Sequence, residues 1–326
     1  MVEISDSGWR VELGIGEERA IQYRGGEPIA ARLRWPGGLE AGQVLTGVLT
    51  SRAIGSRRGR ARFPGGEEAL VENLTRDASE GAEMRFRVTR AIVEEASRVK
   101  LAQVRPTHDA ECPAPSLLET LPDAREVRAF PSGDWDEIHA MGSEGIVTFP
   151  GGSLHFAPTP AMVMVDVDGH LPPRELALAA ASVLARASAL MGLGGMVGID
   201  FPTLEAKADR KAVDAALEQS LADFDHERTA MNGFGFVQIV ARFERPSLLH
   251  LVQRYRAGAA ARLLLRRAEH LAGPEGQIEL IAHPAVIANL TDHWRTELSR
   301  RTGKQLSIRS DPTLALAAPH AQLVPR

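Results

Sequence analysis

Residues 161–201 read AMVMVDVDGHLPPRELALAAASVLARASALMGLGGMVGIDF, and their pattern decides the fold of the middle of the chain. Two short apolar runs, AMVMVDVDG and GGMVGIDF, close on acids: Asp166 and Asp168 in the first, Asp200 in the second. Each run is rich in Val, Ile and Met and is bounded by Gly, the pattern of a buried strand. Between them, Leu176, Val183, Leu184, Ala187 and Leu190 recur near the helical period. Strand, helix, strand is the parallel crossover unit. Both strands then run the same way, and their acids share the sheet edge beyond the carboxyl ends, where open α/β sheets place their sites. Two carboxylates meeting there suit a hard divalent cation such as magnesium. Taken singly, Asp166 and Asp168 before Gly169 also fit a tight turn, and Asp200 fits a residue capping the next helix. Repetition of the pattern across one crossover favours the shared site.

The chain has 326 residues, enough for about two domains with ample core. A balance of 44% hydrophobic and 25% charged residues excludes a disordered, collagen-like or repeat protein. The net charge of −4 means that any nucleic-acid contact must come from a local patch. Cys112 is the one cysteine, which excludes an intrachain disulfide and a multi-cysteine zinc site within one chain. No apolar run approaches the roughly 18 residues of a membrane span. The polar, acidic start MVEISDSGW is unlike a signal peptide. The expectation is a soluble cytoplasmic protein with no membrane partner.

Working outward from the central stretch, residues 1–40 alternate in short runs that predict a strand meander packing on another part of the chain. Residues 41–106 hold five β-prone runs separated by turn residues, which suits a small OB-type barrel. That segment carries twelve basic side chains, Arg98 among them, against eight acidic ones, Glu95 among them. Its excess is therefore positive in a chain that is negative overall. The RRGRAR cluster, with Arg57, Arg58 and Arg60, and Lys100 further on, are candidate phosphate contacts. A solvated turn with alternating arginines is the plainer reading of the same residues. Phe63 and Phe86 are its only aromatics, few for base stacking. Residues 107–125 are Pro-rich and polar, a linker, followed by a strand-like REVRAF, a polar segment at 135–142, and a hairpin turning at Pro150-Gly151-Gly152. Past Asp200 the pattern predicts a polar helix over 204–225, a strand in GFGFVQIVARF beside the first two, and a basic amphipathic helix or helix pair. A strand–helix–strand unit then ends the chain, with the last dozen residues loose.

The blocks GGSLHFAPTPAMVMVDVDG, GGMVGIDF, DRKAVDAALEQSLADFDHERT and GFGFVQIVARFERPSL together resemble the catalytic core of the ribonuclease E/G family. RVELGIGEERAIQY resembles that family's first strands, the 41–106 segment its OB-type RNA-binding domain, and QIELIAHPAVIANL to IRSDP its small carboxyl-terminal unit. The resemblance implies an α/β protein, α+β overall, with a DNase I-like/RNase H-like catalytic core and an OB-fold barrel. Its domains would be 1–40 (strands packing on the core), 41–106 (barrel), 107–150 (linker and RNase H-like strands), 151–246 (DNase I-like catalytic domain) and 247–326 (helix and small α/β unit). It implies a magnesium-dependent endoribonuclease, with manganese an alternative metal, that cuts single-stranded RNA to 5′-phosphate and 3′-hydroxyl ends. Asp166 and Asp200 take the positions of the family's metal ligands. Asp168 stands where the family usually has Asn, placed to orient water or join as a ligand. Arg228 and Arg242 join Arg57, Arg58, Arg60 and Lys100 as candidate RNA contacts.

Several family features are missing. The 5′-end sensing region between barrel and core has only the Pro-rich linker in its place. The paired-cysteine zinc link is absent, which predicts no zinc and a monomer or a dimer built on another surface. Ala189 and Met191 replace arginines, Gln238 replaces an acid, and the basic pair after that strand is reduced to Arg242. Two rival functions follow. One is a non-catalytic RNA-binding relative. The other is a haloacid dehalogenase-like phosphatase, since VMVDVDG resembles that motif with Asp166 as nucleophile, although His170 stands where the motif wants Thr. His155 and His170 lie near the acids in sequence and are candidates to assist.

Overall fold

The computed structural model describes residues 7–94, 99–271, 273 and 276–325. The acidic start 1–6, Glu95, Arg98 and Arg326 lie outside the described residues. The first alternating runs form an antiparallel meander, β1 (Gly8–Gly14), β2 (Glu17–Arg24) and β3 (Glu27–Arg34). Gly25 and Gly26 join β2 to β3 with φ of 59° and 83°, the two-residue turn whose twist matches paired strands. Ile21, Tyr23, Ala31 and Leu33 of the meander share a core with Trp135, Ile138, Leu248 and Leu263. The meander thus packs on a distant part of the chain, as its small size requires.

The barrel strands are β4 (Val44–Arg52), β5 (Gly59–Arg62), β6 (Glu68–Val71) and β7 (Glu83–Arg90). A two-strand ribbon follows, β8 (Val93–Glu94) and β9 (Val99–Lys100), and then β10 (Ala102–Pro106). Five of these close into a barrel in the order β10-β6-β5-β4-β7, consistent with an OB fold. Leu49, Phe63, Val71, Phe86, Val88 and Val104 fill its interior. Period-two alternation turns Arg85 and Arg87 outward around the buried Phe86.

The Pro-rich stretch 107–125 is tied to its neighbours. Cys112 and Val44 exchange backbone hydrogen bonds of 3.0 Å in both directions. The short helix α1 (Leu117–Thr120) is started by a Ser116–Glu119 capping box, and Leu117 is buried against the meander. Of REVRAF only β11 (Arg125–Glu126) is strand, a parallel edge on β1. The polar segment 135–142 is a helix, α2 (Asp134–Glu144). Asp134, Asp136 and Glu137 in its first turn suit the helix dipole, and Gly145 ends it with φ 68°. Trp135 and Ile138 supply its buried side.

The hairpin β12 (Ile146–Phe149) and β13 (Gly152–Pro158) turns at Pro150 and Gly151. Next come β14 (Val163–Gly169), α3 (Pro173–Met191) and β15 (Gly195–Asp200). After them, α4 (Lys207–Ser220) is shorter than the 204–225 read from sequence, and β16 (His226–Arg228) and β17 (Phe236–Ala241) complete the sheet. Its order is β12-β13-β14-β15-β17-β16. Within it β14 and β15 are parallel and the other neighbours antiparallel. Leu176, Ala177, Ala181 and Leu184 of α3 pack on Val165, Val197, Ile199 and Ile239 of the sheet. Leu190 enters the meander core instead. Helix α3 is therefore covered on two sides, which explains why its apolar residues exceed a single stripe.

The basic segment is a helix pair, α5 (Leu248–Arg254) and α6 (Arg256–Glu269), broken at Tyr255. The chain ends with β18 (Gln277–Ala282), α7 (Pro284–Ile287), α8 (Asp292–Thr302), β19 (Leu306–Ser310) and β20 (His320–Val324). The last dozen residues are not loose throughout. β20 pairs antiparallel with β18, and Leu323 packs on that unit's core. A free strand edge on β18 holds a segment too short to declare itself alone. A buried ion network joins the layers: Arg19 pairs with Glu12 and Glu17, and Arg266 pairs with Glu12 at 2.9 Å and Asp136 at 3.3 Å. Among the described residues no helix is long and apolar enough to cross a membrane.

Candidate functional site

The two strand ends of the crossover meet as a register pair. Asp166 of β14 lies directly beside Asp200 of β15. Val165 and Ile199 point into the core against α3, so alternation turns both acids to the opposite, open face, where both are exposed. Neighbouring strands lie about 4.8 Å apart, which makes the two carboxylates neighbours. Among the described residues neither is held by an ion pair. One detail departs from the sequence reading. Asp166 does not end its strand, because β14 continues to Gly169 in pairing with β13. The parallel ladder stops at the acids because β15 ends there.

Two exposed carboxylates with no ion-pair partner among the described residues are the donor set a hard cation prefers, and water or substrate oxygens would complete the shell. Among the described residues no cluster of three or more His, Cys, Asp or Glu is placed to hold a metal ion. Asp168 Oδ1 accepts from the Gly169 amide at 2.8 Å, and Asp168 stands opposite Ser153. His155 stands opposite Asp166 on β13, with its Nε2 2.9 Å from Ser153 Oγ. His170 lies just past β14 and is exposed. On the other flank Phe236 faces Asp200 and Gln238 faces Gly198. A side chain at Gly198 would collide with Met162 Sδ at 2.6 Å and Phe236 Cζ at 2.7 Å. That glycine keeps the open face shallow beside the acids.

The candidate arginines are spread over three places. Arg228 sits opposite the buried Ile239, which puts it on the face covered by α4. There it pairs with Asp214 at 3.1 Å and Glu218 at 3.0 Å, and it is not brought to the acids. Arg242 follows β17, which runs antiparallel to β15 and pairs Ala241 with Gly195. It is therefore at the amino end of β15, roughly 17 Å along the strand from Asp200, paired with Glu244. Arg57 donates to Leu74 O at 2.9 Å and Asn73 O at 3.4 Å, so its head is partly spent on the barrel loop. Arg58 is exposed at the same loop, and Arg60 lies 4.0 Å from Glu68. Lys100 pairs through β9 with Val93. Phe63 and Phe86 are 3% and 0% exposed and pack edge to face inside the barrel, so neither can stack on a base. Two further arginines, Arg32 and Arg245, line a cavity with Arg242 and escaped the sequence reading. The signal for Arg245 lay in the quoted block ending ERPSL.

No protein-family model matches the chain. Over 275 residues it is 25% identical to ribonuclease G of Salmonella typhimurium (strain SL1344). Over the same length it is 24% identical to ribonuclease G of Escherichia coli (strain K12) and of Shigella flexneri. The chain is thus distantly similar to ribonuclease G over three quarters of its length. These matches cover 76% of the chain and 55% of each ribonuclease G, so the chain spans about half the length of the curated relatives it matches.

Proposed function

We propose that the chain is a magnesium-dependent endoribonuclease acting on single-stranded RNA in processing or decay, leaving 5′-phosphate and 3′-hydroxyl ends. The observation that carries this reading is the register of Asp166 beside Asp200 on an open sheet face. These two acids would hold magnesium, or manganese in its place. The bound ion would supply Lewis-acid polarisation of a phosphodiester and neutralise developing charge. Asp168, two residues along the same face, has one carboxylate oxygen beyond its Gly169 bond to orient water. Arg57, Arg58 and Arg60 would form a basic patch at one barrel loop, with Lys100 on the two-strand ribbon, for the RNA backbone. With the barrel phenylalanines buried, binding rests on phosphate charge and falls steeply with salt.

In the same reading, the six-stranded sheet with α3 and α4 is the DNase I-like part, within 151–246. The meander with 107–150 supplies the RNase H-like part, and 41–106 is the OB barrel. The protein works in the cytoplasm, as a monomer or as a dimer not joined through zinc, since Cys112 offers one thiol. Sedimentation showing a zinc-dependent multimer overturns that assembly.

A non-catalytic RNA-binding relative is the second reading. It is favoured by Arg228 and Arg242 lying away from the acids, and by Gln238 standing opposite Gly198 on their face. One assay separates the readings: a single-stranded RNA oligonucleotide with magnesium, wild type beside Asp200→Asn. Internal cleavage lost in the variant supports the nuclease. RNA binding without cleavage by either protein overturns it in favour of the binder. Hydrolysis of a small phosphomonoester without RNA cleavage points to aspartyl-phosphate chemistry instead.

A further inference from the structure

At the opposite edge of the sheet from the acids, three arginines line one cavity of about 310 Å³. Arg32 comes from β3, Arg242 from the residue after β17, and Arg245 from the loop before α5. The 192–194 loop between α3 and β15 forms another wall. It can do so because Gly194 has no side chain: a Cβ there would sit 2.5 Å from Arg242 O.

The charges in this cavity do not balance. Arg32 donates one nitrogen to Ala31 O at 2.8 Å and, at 3.4 Å, to Ala189 O, and its guanidinium lies 5.5 Å from the Trp9 ring centre. Capping the end of α3 thus accounts for one corner of that guanidinium. Among the described residues neither Arg32 nor Arg245 has a carboxylate at ion-pair distance. Glu244 is the acid in the lining, and it is taken by Arg242. Glu18 and Glu40, whose charges also act on Arg245, both pair with Arg34. Burial pushes the Arg32 guanidinium below its ordinary value, and the charge of Arg245 pushes it further. Burial likewise pushes Arg245 down. Two partly desolvated cations facing one cavity are unfavourable until an anion joins them.

We propose that Arg32, Arg242 and Arg245 form a phosphate-binding subsite distinct from the Asp166–Asp200 pair. Planar guanidinium forks match phosphate oxygens two at a time, which a set of lysines could not do. The subsite itself needs only the cavity. Its working occupant, a phosphate of the RNA held one strand-length from the acids, rests on the nuclease reading.

The test omits magnesium, so that cleavage does not enter. Inorganic phosphate is titrated calorimetrically into wild type, Arg32→Gln, Arg245→Gln, Arg245→Lys and Asp200→Asn. Two oligoribonucleotides of one sequence, with a 5′-phosphate and with a 5′-hydroxyl, follow by fluorescence anisotropy. The expected result is phosphate binding weakened at least tenfold by either Gln variant, partly recovered in Arg245→Lys, and unchanged in Asp200→Asn. Preference for the 5′-phosphorylated RNA, lost in Arg245→Gln, assigns the subsite to a terminal phosphate. Equal binding of both RNAs, weakened alike by Arg245→Gln, assigns it to an internal phosphodiester. Wild-type affinity in both Gln variants overturns the proposal, as does no phosphate binding by wild type or equal loss in Asp200→Asn. If either Gln variant misfolds, Arg242→Gln replaces it, since that side chain is 80% exposed and its removal spares the core. Phosphate binding without RNA cleavage in magnesium defeats the nuclease reading alone, and cleavage without phosphate binding defeats the subsite alone.

Discussion

Glu12, Arg19 and Arg266 lie in the core and answer one another, whereas Asp166 and Asp200 lie on an open sheet face with no ion-pair partner among the described residues. The difference separates architecture from chemistry. A buried charge persists only if neighbours replace the water it has lost, so Glu12 receives two arginines, from β2 and α6, and ties the meander to α6. Exposed acids have no such need, and placing two like charges side by side is mildly unfavourable. A carboxylate pair left in that state is stabilised by a cation arriving from solution. Arg32 and Arg245 fall between these cases, partly buried yet not balanced, which is why they point to an anion.

The sharpest way to break the comparison is to neutralise each set. Asp166→Asn or Asp200→Asn is expected to lower RNA cleavage about a thousandfold, the scale of several kcal/mol of lost charge stabilisation. The urea midpoint should stay where it is. Glu12→Ala should do the reverse: stability falls by about 3–5 kcal/mol as Arg19 and Arg266 are left buried and unmatched, while cleavage per folded molecule is kept. Urea unfolding beside an RNA assay reads both, and an unmoved midpoint in Glu12→Ala would erase the distinction. A smaller effect is expected for Arg228→Ala, about 1–3 kcal/mol from lost charged hydrogen bonds to Asp214 and Glu218. RNA affinity measured without magnesium should not change in that variant, and a tenfold loss would return Arg228 to the RNA surface.

The smallest effect concerns pH. Burial holds His139 below its ordinary value of 6.5, and its Nε2 is buried with no hydrogen-bond partner among the described residues. The unfolded chain therefore takes up the proton first. Stability contributed by this group is present above pH 6.5 and is lost as the pH falls below it. Urea midpoints measured from pH 7 to pH 5 should fall for wild type and fall less steeply for His139→Leu. Equal slopes would place the acid sensitivity elsewhere.

Much of the central sheet was legible because its signals are local. Short Val- and Ile-rich runs ending in acids, with an Ala- and Leu-rich helix between them, specify the crossover and put Asp166 beside Asp200. The barrel was equally readable from five spaced runs. What was not legible depended on partners far away in sequence. The direction of β17 decides that Arg242 lies at the wrong edge for the acids, and no residue within GFGFVQIVARF announces that direction. Arg228 looked free until α4 folded back with Asp214 and Glu218. β20 exists because β18 offers it an edge. Helix α2 was missed because Trp135 and Ile138 alone make a thin stripe.

Asp166 and Asp200 are expected to act as one cation site. Manganese titration followed by electron paramagnetic resonance tests that directly, using wild type, each single Asn variant and the double variant. One bound ion in wild type, lost in either single variant with no further loss in the double, is the predicted result. Unchanged manganese binding in both single variants would contradict it.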